Sequence, residues 1–216
     1  MNSPETSATF EILRQEMVSS HLRARGIADE RVLAAMARVP RHEFAPARYR
    51  GQAYEDHPLP IGEGQTISQP YIVALMLEAL QLSPTDKVLE VGTGSGYVTA
   101  LLAELTAAVV SIERHIALAE SARKLLTALG YSNVTILTGD GTRGSPESAP
   151  YQAIIVSAAA AELPIELITQ LTEGGRMIIP VGREESQQLQ LIRMDNGQPR
   201  VQFRELCRFV PLISEP

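Results

Sequence analysis

Three glycines, Gly92, Gly94 and Gly96, fall in the run Lys87–Tyr97, KVLEVGTGSGY, behind an apolar stretch and ahead of a helical one. A chain that turns sharply there lets a ligand approach the backbone, because no Cβ intrudes. N–H groups at the start of the following helix favour polar or anionic groups. By itself such a loop is a weak signal; strand before and helix after strengthen it. Three acids accompany it: Glu90 just before the loop, Glu113 about 20 residues on, where a carboxylate can accept both hydroxyls of a ribose, and Asp140 within Gly139-Asp140-Gly141. A dinucleotide site expects G-x-G-x-x-G around a pyrophosphate. Here the spacing is G-x-G-x-G, and a carboxylate beside a pyrophosphate would repel it, whereas an ammonium and a sulfonium would be attracted. Asp140 could bond an adenine amino group. Each acid has an ordinary alternative: Glu113 pairing with Arg114 or Arg123, Asp140 serving as a turn residue. Three acids at the ends of successive strands suit a cationic adenosyl ligand better than a phosphorylated one.

The elements that must hold these residues follow from periodicity. Phe10, Leu13 and Met17 form a helical stripe ended by Gly26. Asp29 is a good N-cap for a second helix that turns Val32, Leu33, Met36 and Val39 inward before Pro40. From Pro40 to Pro70 prolines and glycines recur in a long irregular segment, too apolar for a free linker, which reads as a folded active-site loop. Pro70 opens a helix whose buried face is Ile72, Val73, Met76, Leu77 and Leu80. Strands are predicted at 88–91, 108–113, 133–137, 152–157 and 175–181, alternating with helices at 97–105, 115–129 (face Leu118, Ala122, Leu125, Leu129) and 165–171. Strands at 188–194 and 201–210 follow, joined by Asn196-Gly197. This alternation predicts an α/β fold: a doubly wound, Rossmann-like, mostly parallel sheet with an N-terminal helical extension and antiparallel C-terminal edge strands. One domain is expected over 1–216, with helices and active-site loop in 1–83, a cofactor-binding core in 84–185 and C-terminal strands in 186–216.

Composition narrows the function classes. The 216 residues and 44% apolar content are those of a globular chain. A single cysteine, Cys207, excludes an internal disulfide and a cysteine-based metal site, and it reads as a small apolar residue rather than a reactive thiol. The four histidines lack metal-ligand spacing, so no metal is expected. A formal charge of -6 with only loosely scattered arginines argues against a nucleic-acid partner. No apolar run reaches membrane-spanning length, so no membrane partner is expected. MNSPETSATFEILRQE has no apolar leader region, so a cytoplasmic location is expected.

VLEVGTGSGY, the SIER segment with Glu113, and GDG resemble the first motif, the ribose-binding acid and the adenine-side acid of class I S-adenosylmethionine-dependent methyltransferases. The likeness then narrows. VPRHEFAP (39–46), AYEDHPLPIGEGQTISQPYIVA (53–74), APYQAIIVSAAAAELP (149–164), LTEGGRMIIPVG (171–182) and RFVPLI (208–213) resemble the protein-L-isoaspartate (D-aspartate) O-methyltransferase family over nearly the whole chain. SAAAAELP departs from the family's TAAP-like pattern, which puts the shape of that loop in question. The resemblance implies S-adenosyl-L-methionine as cofactor, S-adenosyl-L-homocysteine as product, and damaged proteins and peptides containing isoaspartate as partners. It implies that Ser68 is the active-site serine and that Thr66, Ile67, Ser68, Gln69, Glu90, Gly92, Thr93, Gly94, Ser95, Gly96, Glu113, Asp140 and Gly141 hold the cofactor. Asp56, Ile61, Ser68, Val210 and Leu212 are expected at the substrate. On residue type alone Ser68 reads as a helix cap and Asp56 as either a substrate ligand or a clamp on its loop. Tyr54, Leu59 and Ile61 are expected to wall the substrate site, and the bare backbone at Val210-Pro211-Leu212 to accept an extended peptide by strand addition. A methyltransferase of the same core with another substrate, and a non-catalytic adenosyl-binding protein, are the competing readings.

Overall fold

In a computed structural model the described residues are 7–183 and 186–214; residues 1–6, on which the leader expectation partly rests, lie outside them. The first apolar stripe forms helix α1 (Ser7–Glu16), continues through a π-turn (Met17–Leu22) and a 3-10 turn (Arg23–Arg25), and stops at Gly26. Asp29 caps α2 (Glu30–Arg38) as expected: its Oδ1 accepts from the N–H groups of Arg31 at 2.8 Å and Val32 at 3.3 Å. The irregular segment holds two 3-10 turns and a short antiparallel hairpin, β1 (Leu59–Gly62) and β2 (Gln65–Ile67), which periodicity did not reveal because each strand is a turn or so of chain. Helix α3 (Pro70–Leu80) begins at Pro70 as predicted.

The main sheet contains β3 (Lys87–Val91), β4 (Ala108–Glu113), β5 (Val134–Thr138), β6 (Tyr151–Val156), β7 (Leu171–Arg183), β8 (Ser186–Asp195) and β9 (Gln198–Cys207), interleaved with α4 (Tyr97–Leu105), α5 (Ile116–Ala128) and α6 (Ile165–Ile168). Its order is β5-β4-β3-β6-β7-β8-β9, parallel from β5 to β7 and antiparallel through β8 and β9. The chain enters at β3, runs outward to β5, then returns to place β6 on the other side of β3. Ligands bind where such a sheet reverses direction, beyond the carboxyl ends of the strands. Alternation along each strand fills two apolar layers: Val88, Ile155 and Ile178 face the layer shared with α2, α3 and α4, while Leu89, Ile154 and Met177 face the other.

Several boundaries move. Helix α6 is a single turn, because Leu171 already belongs to β7 and is buried against Tyr151. The fully buried face of α5 is Leu118, Ala119, Ala122 and Leu126, with Leu125 and Leu129 only partly covered. Strand β9 ends at Cys207 rather than Val210, since the side chain of Gln187 then takes over the ladder, accepting from the Phe209 N–H at 2.6 Å and donating to its carbonyl at 3.0 Å. The Asn196-Gly197 turn appears where expected, both residues left-handed and both N–H groups held by Glu173. Burial pushes the Cys207 thiol up to about 11, so it is a thiol and not a thiolate at neutral pH. Among the described residues no helix is long and apolar enough to cross a membrane.

Gly96 shows why the third glycine of the loop is there. Its φ is +90°, and a Cβ would stand 3.2 Å from Ala122 Cβ and 3.3 Å from Leu126 Cδ1. It lets α4 start directly beneath α5. Gly96→Ala combines left-handed strain with overpacking, so urea unfolding should show a loss of about 2 kcal/mol.

Candidate active site

A cleft opens at the carboxyl ends of β3, β4 and β6. Gly92, Thr93, Gly94 and Ser95 form its floor, and the turn from Ile112 to His115 one wall. Gly141, Ser157 and Ala158 close the far side, Thr66, Ile67 and Ser68 of the hairpin segment cover it, and the C-terminal segment from Val210 to Ile213 completes the rim.

The loop's own hydrogen bonds decide what it can hold. The N–H groups of Gly92 and Thr93 both donate to the Ile112 carbonyl, at 2.8 and 3.3 Å. Gly94 N–H donates to Glu113 Oε2 at 2.8 Å, and Gly96 N–H to the Thr93 carbonyl at 2.8 Å. Four of the N–H groups that would cradle a pyrophosphate are therefore already spent, and a carboxylate stands beside them. Glu113 is 5% exposed, lines the cleft, and accepts from His115 N–H through Oε1 at 2.9 Å. Each of its oxygens keeps a lone pair for a hydroxyl. The donor set fits a ribose with an uncharged or cationic remainder and disfavours a phosphate, which settles the choice that the glycine spacing alone left open.

Glu90 lies wholly buried beneath the loop, with Oε2 accepting from Thr99 Oγ1 at 2.5 Å and Ser111 Oγ at 2.6 Å, and Oε1 without a partner. It does not line the cleft, because its side chain points from β3 into the layer under α4. Burial pushes its carboxyl up to about 8, against the pull of the Ser111 and Thr99 hydroxyls. The folded chain therefore keeps a proton that the unfolded chain has released between the ordinary carboxyl value of 4.5 and about 8. The stability contributed by this group is greatest below that window and falls as pH rises through it, by up to about 1.4 kcal/mol per pH unit. Glu90→Gln should flatten this slope, read as urea midpoints at pH 5 and pH 8. Equal slopes in variant and wild type would contradict it.

Other expected contacts sort by side-chain direction. Asp140 uses Oδ1 to cap the 3-10 turn Gly141–Arg143 through Thr142 N–H and Oγ1; the cleft wall there is Gly141. Gln69 turns away from the cleft and donates to Asp56 Oδ2 at 2.8 Å. Asp56 also accepts from Tyr71 N–H at 3.1 Å and pairs with Arg25, so these bonds tie the loop to the start of α3 and to the N-terminal 3-10 turn. Ile61 reaches over the glycine loop, where a Cβ on Gly94 would be 3.3 Å from Ile61 Cδ1. Tyr54 and Leu59 are core residues, 3% and 1% exposed. Tyr54 is fixed by a 2.7 Å bond to His42 Nδ1.

Ser68 occupies the most informative place. The N-cap of α3 is Gln69, without a side-chain cap, so the capping role expected of Ser68 fails by one residue. Ser68 instead lines both the cleft and a second, wider groove that runs past Gln69, Ile72, Gln187, Leu206 and Phe209. Thr66, Ser157, Val210, Pro211 and Leu212 share that junction. The backbone at 210–212 is not bare: the Val210 carbonyl accepts from Ala159 N–H at 2.8 Å and Leu212 N–H donates to the Ala159 carbonyl at 2.7 Å. The Leu212 N–H is thus already engaged, while the Val210 carbonyl keeps its second lone pair. Residue type and spacing assign Ser157 only to a strand end and Arg41 only to a solvated face. The position of Ser157 at the carboxyl end of a parallel strand was a usable signal; Arg41, wholly buried, offered none.

Comparison with known proteins bears on the whole chain. A family model described as protein-L-isoaspartate(D-aspartate) O-methyltransferase matches residues 13–216. The chain belongs to this family. A protein-L-isoaspartate O-methyltransferase of Koribacter versatilis is 55% identical over 212 residues, 98% of this chain and 95% of its own. One of Methanoculleus marisnigri is 54% identical over 94% of this chain and 92% of its own. Among solved structures, a protein-L-isoaspartate O-methyltransferase superposes with a TM-score of 0.83 at 32% identity, over 91% of this chain and 65% of that one. A Plasmodium falciparum protein assigned to the β-aspartate methyltransferases, solved in complex with S-adenosyl-L-homocysteine, gives a TM-score of 0.83 at 28% identity, over 94% of this chain and 99% of its own. The family's fold accounts for both the parallel core and the antiparallel C-terminal strands.

Proposed function

We infer that this protein transfers a methyl group from S-adenosyl-L-methionine to the free α-carboxylate of L-isoaspartyl residues in damaged proteins and peptides. The observation that carries this reading is the placement of Ser68 where the cleft opens into the groove. A methyl donor held in the cleft and a polypeptide held in the groove would meet there. S-adenosyl-L-methionine, when bound, supplies an electrophilic methyl group on a sulfonium and leaves as S-adenosyl-L-homocysteine. Glu113 is the residue for the ribose hydroxyls, with the Gly92–Ser95 backbone beneath. The groove suits an extended segment of chain, as a damaged and locally unfolded protein presents.

A carboxylate is already ionised at neutral pH, so the acceptor needs no general base. The protein's task is positioning and partial desolvation. Among the described residues no protein group bonds the Ser68 hydroxyl, which leaves it free to donate to one carboxylate oxygen while the other faces the methyl group.

The test is a pair of peptides identical except for aspartate or isoaspartate at one site, offered with tritiated S-adenosyl-L-methionine. Label should enter only the isoaspartyl peptide, as a base-labile ester. Equal labelling of both peptides would sink the reading, and labelling of neither would favour a non-catalytic adenosyl-binding protein.

A further inference from the structure

Arg41 lies in the 3-10 turn Arg41–Phe44 and is 0% exposed. Its bonding partners are carbonyls and an aromatic ring, not carboxylates. Nε donates to the Ala53 carbonyl at 2.7 Å, Nη2 donates to the Ser68 carbonyl at 2.7 Å, and the guanidinium carbon sits 4.8 Å from the Tyr97 ring centroid. Nη1 has no hydrogen bond, and neither does the buried Tyr97 hydroxyl. Burial draws the Arg41 pKa below the ordinary arginine value, with Tyr97, Tyr54 and Asp56 pulling it back up. A cation in such a place is costly, and an apolar side chain of similar volume would often fold as well or better. Stability alone therefore gives little reason for an arginine here.

We propose that Arg41 is the positioning residue for Ser68, its guanidinium fixing the Ser68 peptide and so aiming the hydroxyl at the junction of cleft and groove. This rests on the isoaspartyl methyltransferase reading above. Ala53 and Ser68 bracket the excursion that carries Asp56 and the β1–β2 hairpin, so the planar fork closes that excursion at its base. Asp56 makes a second clamp just outside it, on Gln69 and Tyr71. The third side of the guanidinium faces Tyr97, the first residue of the helix that follows the glycine loop. One rigid group thus ties the acceptor side of the site to the cofactor side. A lysine can reach one carbonyl and lacks the fork. A shift of about 1 Å in a reacting group is enough to cost about 100-fold in rate.

The experiment is a double-mutant cycle on isoaspartyl-peptide methylation with Arg41→Met, Arg41→Lys, Ser68→Ala and the two combinations. Arg41→Met should lower kcat about 100-fold and Arg41→Lys about 10-fold, with KM for S-adenosyl-L-methionine within about twofold. Each Arg41/Ser68→Ala double variant should be no slower than Ser68→Ala alone, since both changes remove the same hydroxyl from its place. Losses that multiply in the double variants would overturn the assignment, as would an Arg41→Met protein that keeps kcat within about twofold. If Arg41→Met fails to fold, the Arg41→Lys cycle carries the same comparison. A wild type that labels no isoaspartyl peptide overturns the functional reading and this one with it. A wild type that labels it, with multiplicative losses, overturns only the role of Arg41.

Discussion

Glu113→Ala should raise the dissociation constant for S-adenosyl-L-homocysteine about 100-fold, equivalent to about 2.7 kcal/mol. The carboxylate accepts from the N–H groups of Gly94 and His115 at 2.8 and 2.9 Å, from a position that is 5% exposed. Hydrogen bonds to a charged group contribute about 1.5–3 kcal/mol each. Alanine removes these along with the contact proposed for the ribose, so the glycine loop loses its anchor and the cofactor its partner together. Glu113→Gln should fall nearly as far. Both backbone groups it faces are donors, and one would meet an amide NH2 instead of an acceptor. Calorimetric titration with S-adenosyl-L-homocysteine reads the effect directly. An affinity within about threefold of wild type for the alanine variant would show that Glu113 anchors the loop only weakly and the cofactor not at all.

Ser68→Ala should act on the other half of the reaction. A lost positioning hydrogen bond in a partly desolvated site is expected to lower kcat on an isoaspartyl peptide about 100-fold, with affinity for S-adenosyl-L-homocysteine within about threefold. Ser68 does not cap α3, so the substitution removes no helix-stabilising bond and the thermal midpoint should barely move. A drop in stability with an unchanged rate would identify Ser68 as structural. The two variants therefore divide the site: Glu113 controls whether the cofactor binds, Ser68 whether the bound pair reacts.

Much of this was readable from residue order. Asp29 and Pro70 mark helix starts by local chemistry that needs no tertiary partner: a side chain that accepts from the next N–H groups, and a ring that fixes φ. The strands of the parallel core are buried on both faces and announce themselves as short apolar runs between helical stretches. The Asn196-Gly197 turn is likewise local. The β1–β2 hairpin was not legible, since Leu59–Gly62 and Gln65–Ile67 are too short to show a period. Nor was the end of β9, because it depends on Gln187, twenty residues back, bonding Phe209 through its side chain.

The site divides in the same way. By itself the sequence determined that a glycine loop follows a buried strand, that Glu113 ends the next one, and that nearly the whole chain resembles one family. Those are properties of local pattern. Only the tertiary structure decided which of the flagged residues face the cavity. Glu90 and Gly96 are each immediate neighbours of cleft-lining residues, yet one points beneath the loop and the other packs under α5. Asp56 clamps its own loop, and Ser68 stands where two cavities meet. Arg41 is the clearest case: a charged side chain that residue type assigns to the surface is wholly buried, because two carbonyls distant in sequence converge on its fork. Side-chain direction and convergence of distant backbone groups are set by packing, and no local pattern encodes them.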